Sequence, residues 1–150
     1  MRNDIVRAAA AAARCHRDRA VSVIVENAFT ASDLRDFNYD EFSLNSRDAF
    51  DTAIAAAEQL PMMAARRVVK VSDVRVAATS ARDTLREEYE ETLGRYLANP
   101  SDSTVLIFVA DELNGNRKLT KLLNKHATTV KFEKLSDTDL VAWVRRNIAD

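Results

Sequence analysis

Residues 104–110 read TVLIFVA, a run with no charge and no turn former. A strand with one wet face alternates apolar and polar side chains. A strand covered on both faces, as in the middle of a parallel sheet, does not need to. The run therefore predicts an interior strand, with Val105, Ile107 and Val109 on one face and Leu106 and Phe108 on the other. Residues 111–116 form a polar turn, and Leu119, Leu122 and Leu123 then mark a helix. A buried strand feeding a helix is the unit from which parallel α/β sheets are built.

The rest of the chain follows the same alternation. Residues 2–20 are rich in Ala and Arg, which favours a helix. Residues 21–25 (VSVIV) fit either a strand, by their β-branching, or the buried end of that helix. After Asp33, residues 37–42 alternate enough for a half-exposed strand. Ser46 is placed to cap a helix over 47–60 whose apolar stripe is Phe50, Ala53, Ile54, Ala57 and Leu60. Pro61 interrupts it, because proline has no backbone donor and disfavours helix at the preceding residue. Val68, Val69 and Val71 mark a second strand. Residues 80–98 predict one long helix with Leu85, Tyr89, Leu93, Tyr96 and Leu97 on a face, ended by residues 99–102 (NPSD). Val130 and Phe132 alternate with Lys131 and Glu133, giving a last short strand. Ser136 and Asp139 then resemble a capping box, with Leu135 and Leu140 as its staple and Val141, Val144 and Ile148 on the helix it opens. The expected fold class is α/β, with a mainly parallel sheet and helices on both faces.

Composition limits the chemistry. The 150 residues carry 22 Lys+Arg against 23 Asp+Glu, so bulk positive charge does not hold a nucleic acid here. A chain of this length buries about 68–70% of its unfolded surface, enough to stand without a metal or disulfide staple. The single cysteine, Cys15, forms no internal disulfide and suits the reducing cytoplasm. No apolar run reaches the roughly 18–20 residues of a membrane span. With only 2 Gly and 2 Pro, glycine-rich loops and flexible linkers are excluded. Neither G-x-x-x-x-G-K-[ST] nor G-x-G-x-x-G occurs, which argues against tight ATP binding and against an enzyme of that class.

Other chemistry-bearing clusters read first as ordinary surface. Cys15 and His16 are adjacent on a helix and point apart, and His126 is far along the chain. Glu87, Glu88, Glu90 and Glu91 fit a solvated helix face, with a cation or basic partner as the alternative. Asp111 and Glu112, at the end of the apolar strand, fit a turn, or a Mg²⁺ site if a phosphate loop accompanied them. The basic sets Arg66, Arg67, Lys70, Arg75 and Arg117, Lys118, Lys121, Lys125 lack interleaved aromatics. They fit either a solvated face or contact with DNA or an acidic partner.

One segment fits no periodic stripe. In residues 60–65 (LPMMAA) two methionines follow a proline where a core helix ends. Methionine is flexible and polarizable, favoured at adaptable binding surfaces and equally at gaps in a core. Both uses stay open from composition alone.

Taken in order, residues 35–40 (RDFNYD), 60–71 (LPMMAARRVVKV), 93–109 (LGRYLANPSDSTVLIFV), 116–119 (NRKL) and 132–144 (FEKLSDTDLVAWV) resemble the N-terminal domain of the delta subunit of the bacterial DNA polymerase III clamp loader. The resemblance covers about residues 33–150. It implies a P-loop NTPase/AAA+-like three-layer domain, here 1–150, that has lost ATP binding and needs no cofactor. It implies a non-catalytic role: gripping the sliding clamp (beta subunit) and helping to open it for loading onto DNA. Its partners would be the clamp and the other loader subunits, which supply ATP hydrolysis, with DNA met only indirectly and no membrane. The family's clamp contact is an apolar pair within a pattern like small-Leu-Phe-Ala-Ser-Arg. The matching positions here are Pro61, Met62, Met63, Ala64, Ala65 and Arg66, so the resemblance implies Met62 and Met63 as the clamp-binding pair, supported by Leu60. Two methionines where the family has a Leu-Phe-like pair is a departure. So is the start, where the family opens with a strand; residues 21–25 are offered in its place. The family's lid and collar domains are not in this length, which suggests a fragment. A phospho-receiver signalling domain is the alternative: residues 23–27 (VIVEN) resemble its strand-plus-acid opening, and Asp73 is offered as the phosphoryl acceptor.

Overall fold

The computed structural model describes residues 2–133, together with 136, 138, 139, 141, 142 and 145. The chain divides into two compact units, Met1–Glu26 with Val130–Asp150, and Asn27–Thr129.

The first unit holds most of one long helix, α1 (Arg2–Ala28). Residues 21–25 are therefore helical and supply neither the opening strand nor the strand-plus-acid start of a receiver. A strand needs a neighbour to satisfy its N–H and C=O groups, whereas an Ala-rich helix extended by one more turn satisfies them itself. Val23 and Ile24 on this stretch are about half exposed. Residues 130–133 take no strand conformation. One half of the capping box is present: Ser136 Oγ accepts from the Asp139 N–H at 3.2 Å, while the Asp139 carboxylate takes the Ser136 hydroxyl at 2.6 Å. The staple pair Leu135 and Leu140, and Val144 and Ile148, lie outside the described residues.

The second unit is a mixed α/β fold around a three-stranded parallel sheet in the order β1 (Tyr39–Ser43), β2 (Arg67–Val76), β3 (Thr104–Leu113). The short helix α2 (Arg35–Asn38) precedes β1, α3 (Ala49–Glu58) links β1 to β2, and α4 (Glu90–Ala98) lies between β2 and β3. Helix α5 (Lys118–His126) follows β3. Helix α3 begins after Asp48, not Ser46, and Asp48 sits in the left-handed region at φ 60° without a side-chain cap bond. Its stripe is buried as far as Ala57, but Leu60 lies beyond the helix. Phe50, Ala53, Ile54 and Ala57 join Leu93 and Tyr96 of α4, and Leu119 and Leu123 of α5, in one core against the sheet.

Two expectations about the middle of the chain are corrected. The central strand is β2, and the apolar run 104–110 ends the order among the described residues, with only Val109 buried in it. Val68, Val69, Val71, Val74 and Val76 of β2 are each 0% exposed. At roughly 1.5–3 kcal/mol per buried side chain, the driving force centres on that strand. Its polar letters hid this. Val69, Val71, Val74 and Val76 face one core although their spacing changes parity, because a bulge between Val71 and Val74 inserts an extra residue. Asp73 takes the strained corner at φ 57°.

Residues 80–98 are not one helix. Two 3₁₀ turns, Ser80–Arg82 and Glu87–Tyr89, precede α4. The reason lies at residues 83–85. Asp83 Oδ1 accepts from the Ala77 N–H at 2.7 Å, and Thr84 Oγ1 from the Arg75 N–H at 2.8 Å. The Thr84 and Leu85 N–H groups donate to the Arg75 carbonyl. Bonds to the end of β2 outcompete the local helix. No helix among the described residues is long and apolar enough to cross a membrane.

Candidate protein-docking turn

The segment between α3 and β2 carries the three side chains singled out in the sequence, and it brings them together on one turn. Helix α3 stops at Glu58, and the Gln59 N–H closes it on the Ala56 carbonyl. Leu60 and Pro61 then leave the helix axis. Leu60 is 80% exposed, Met62 54% and Met63 80%. They fill no gap under the sheet. Three large apolar side chains at neighbouring positions are therefore open to solvent.

The turn is fastened from one side by a residue the sequence reading passed over. Asn38, at the end of α2, is 0% exposed. Its Oδ1 accepts the Met62 N–H at 2.6 Å, and its Nδ2 donates to the Met62 carbonyl at 2.8 Å. The same Nδ2 donates to the Leu34 carbonyl at 2.8 Å. Both amide hydrogens and the carbonyl oxygen are thereby used, which is what a buried carboxamide requires. The only local signal was an asparagine inside the half-apolar run FNYDEF. Directly after the fastening, Met63 adopts φ 49°. A non-glycine residue there costs on the order of 1–3 kcal/mol, held only where the surroundings overdetermine it. Leu34 and Phe37 of the adjoining segment are exposed apolar side chains as well, at 41% and 59%.

The neighbouring basic set does not form a continuous patch. Arg66 is exposed, but Arg67 is buried, pairing with Asp40 and donating to the Phe37 carbonyl at 3.3 Å. Lys70 Nζ lies 2.8 Å from Glu41 Oε1. The Lys70 ammonium holds the Glu41 carboxyl below its usual range, and the Tyr39 hydroxyl that donates to it at 3.1 Å adds to this. Burial, and then that bond to Glu41, push the Tyr39 phenol up. In the second basic set Arg117 is likewise committed to ion pairs, while Lys118, Lys121 and Lys125 are exposed.

The acidic residues of 87–91 border an open hollow with Gly94 and Leu122. Glu87 and Glu88 pair with Arg117 and Arg86. No group of three or more His, Cys, Asp or Glu suited to a metal occurs among the described residues. Cys15 is an exposed free thiol. Asp73, offered above as a phosphoryl acceptor, is not at a strand end: it forms the β2 bulge and accepts a bond from Ser43 Oγ.

The second unit is thus a three-stranded parallel α/β fold with an exposed apolar turn between α3 and β2. The comparisons with known proteins identify the chain's family. Residues 20–133 match the model of the family described as DNA polymerase III, delta subunit, and the chain belongs to that family. It is 34% identical over 104 residues to DNA polymerase III subunit delta of Bacillus subtilis (strain 168), an alignment covering 68% of this chain and 30% of that protein. Its fold is similar to the solved structure of the Bacillus subtilis DNA clamp loader delta protein (YqeN), with a TM-score of 0.72 and 24% identity over 97% of this chain and 46% of that one. The chain thus spans about a third of the length of the curated relative and about half of the solved chain.

Proposed function

We propose that this chain is the clamp-binding, AAA+-like N-terminal domain of a clamp-loader delta subunit. It docks on the sliding clamp through Met62 and Met63, with Leu60 beside them, and helps to open the ring for loading onto DNA. Membership of the delta family supports the reading. The observation that carries it is the exposure of three large apolar side chains on one fastened turn. Fully burying a methionine is worth roughly 1.5–3 kcal/mol, so two anchors entering a pocket can dominate an interface.

The domain's part is mechanical and non-catalytic. Without a glycine-rich loop it has no backbone cradle for a triphosphate, and ATP hydrolysis falls to the other loader subunits. Calorimetric titration with Mg-ATP is expected to show no binding; micromolar affinity would contradict this part. It works in the cytoplasm, on DNA only through the clamp.

The test of docking is Met62→Ser/Met63→Ser. Clamp affinity is expected to fall by roughly 2–4 kcal/mol, about 30- to 1000-fold. Stability should change by less than about 0.5 kcal/mol, since both side chains are exposed. Unchanged affinity would sink the assignment.

A further inference from the structure

The Met turn is held in place by little besides Asn38. Among the described residues, the hydrogen bonds made by residues 60–66 are the two at Met62. The flanking bonds, from the Gln59 N–H to Ala56 and from the Arg67 N–H to Ser103, belong to the ends of α3 and β2. Yet the turn holds Met63 at φ 49° and two methionines in water. Left to itself, such a segment would sample many conformations. The buried amide of Asn38, 24 positions earlier in the chain, grips both the N–H and the carbonyl of Met62 and also donates to the Leu34 carbonyl.

We propose that Asn38 is a positioning residue for docking: by holding the Met62 backbone from both sides, it keeps the turn in its binding conformation before the partner arrives. This rests on reading the Met turn as the clamp contact. The partner is the sliding clamp, and Asn38 does not touch it, being wholly buried. Its effect comes through the fraction of molecules whose turn is competent. A turn ordered a tenth of the time weakens apparent affinity about tenfold with every contact residue intact. The chemistry of the grip is specific. Aspartate keeps an acceptor for the Met62 N–H but has no donor for the two carbonyls, and alanine has neither.

Two measurements on the full chain test this. The first is amide hydrogen exchange without a partner. The Met62 N–H is expected to be protected although its side chain is half exposed, and to lose that protection in Asn38→Ala while β2 and α3 keep theirs. The second is a cycle of clamp dissociation constants for wild type, Asn38→Ala, Met62→Ser/Met63→Ser and the combination. Asn38→Ala is expected to weaken binding about tenfold in the wild-type background and hardly at all in the Ser/Ser background, because a positioning residue acts only through the side chains it positions. An equal loss in both backgrounds, or unchanged affinity in Asn38→Ala, would overturn the proposal. If Ser/Ser alone binds like wild type, the docking reading itself falls. If Asn38→Ala loses β2 protection, the same cycle is run with Asn38→Leu, which keeps the volume of the side chain and buries no charge.

Discussion

Arg117 Nη2 stands 2.8 Å from Asp83 Oδ2, and this ion pair joins the start of α5 to the segment that follows β2. The Asp83 side chain is 1% exposed and that of Arg117 16%. Arg117 Nη1 also donates to the Ala77 carbonyl at 3.0 Å, while Asp83 Oδ1 accepts the Ala77 N–H. Two oppositely charged side chains thus close both backbone groups of one residue at the point where β2 ends. Arg117 looked in the sequence like part of a free basic face; in the fold it is a structural cation.

Removing either partner is therefore expected to cost on the order of 3 kcal/mol, because it strands the other charge or a buried backbone group. Asp83→Ala and Arg117→Ala followed by urea denaturation check this. The double variant should lose clearly less than the sum of the two, since the second change removes a charge already stranded.

The core ranks two phenylalanines. Phe50 is 1% exposed and stacks on Tyr89 with centroids 4.2 Å apart. Phe108 packs against the same core from β3 but is only partly buried. Phe50→Ala is expected to fall at the upper end, and Phe108→Ala at the lower end, of the roughly 3–5 kcal/mol that such truncations cost. Equal losses in thermal melts would place β3 deeper than the fold has it.

The bulge makes a prediction about Asp73. Its φ of 57° suits glycine and penalises a β-branched residue. Asp73→Val should destabilise by at least about 1–2 kcal/mol, and Asp73→Gly by less, since strain relief offsets the lost bond from Ser43. Melting temperatures of the two variants give the order.

The Glu41 carboxyl is held down first by Lys70. A folded-state pKa below the unfolded one adds stability above the ordinary value of 4.5, lost as pH falls through the lower folded value. Glu41 is about half exposed, so the whole contribution stays under about 1 kcal/mol. Glu41→Gln should leave stability at pH 7 lower by that small amount and remove its share of the slope below pH 4.5, read from denaturation midpoints across that range.

How much of this was legible in the sequence follows from what is local. Alternating strands and helices, the parallel sheet and the stripe from Phe50 to Ala57 come from periodicity, which each segment carries alone. That Pro61 ends the stripe was legible too, but whether Met62 and Met63 filled the core or faced water was not; the fold exposes both. Tertiary structure decided the rest. Which strand is central depends on neighbours: β2, with Lys70, Ser72, Asp73 and Arg75 among its valines, looked half-polar until the bulge let Val71 and Val74 face one core. Residues 80–89 carry a helical apolar spacing, but Asp83 and Thr84 meet unpaired groups at the end of β2 and bond there instead. Above all, nothing near residue 38 announces residue 62. The turn's own letters make it apolar, but its shape comes from a buried amide brought to it by the pairing of β1 with β2. A side chain's chemistry is local, while a hydrogen bond between distant segments exists only once the sheet has set them side by side.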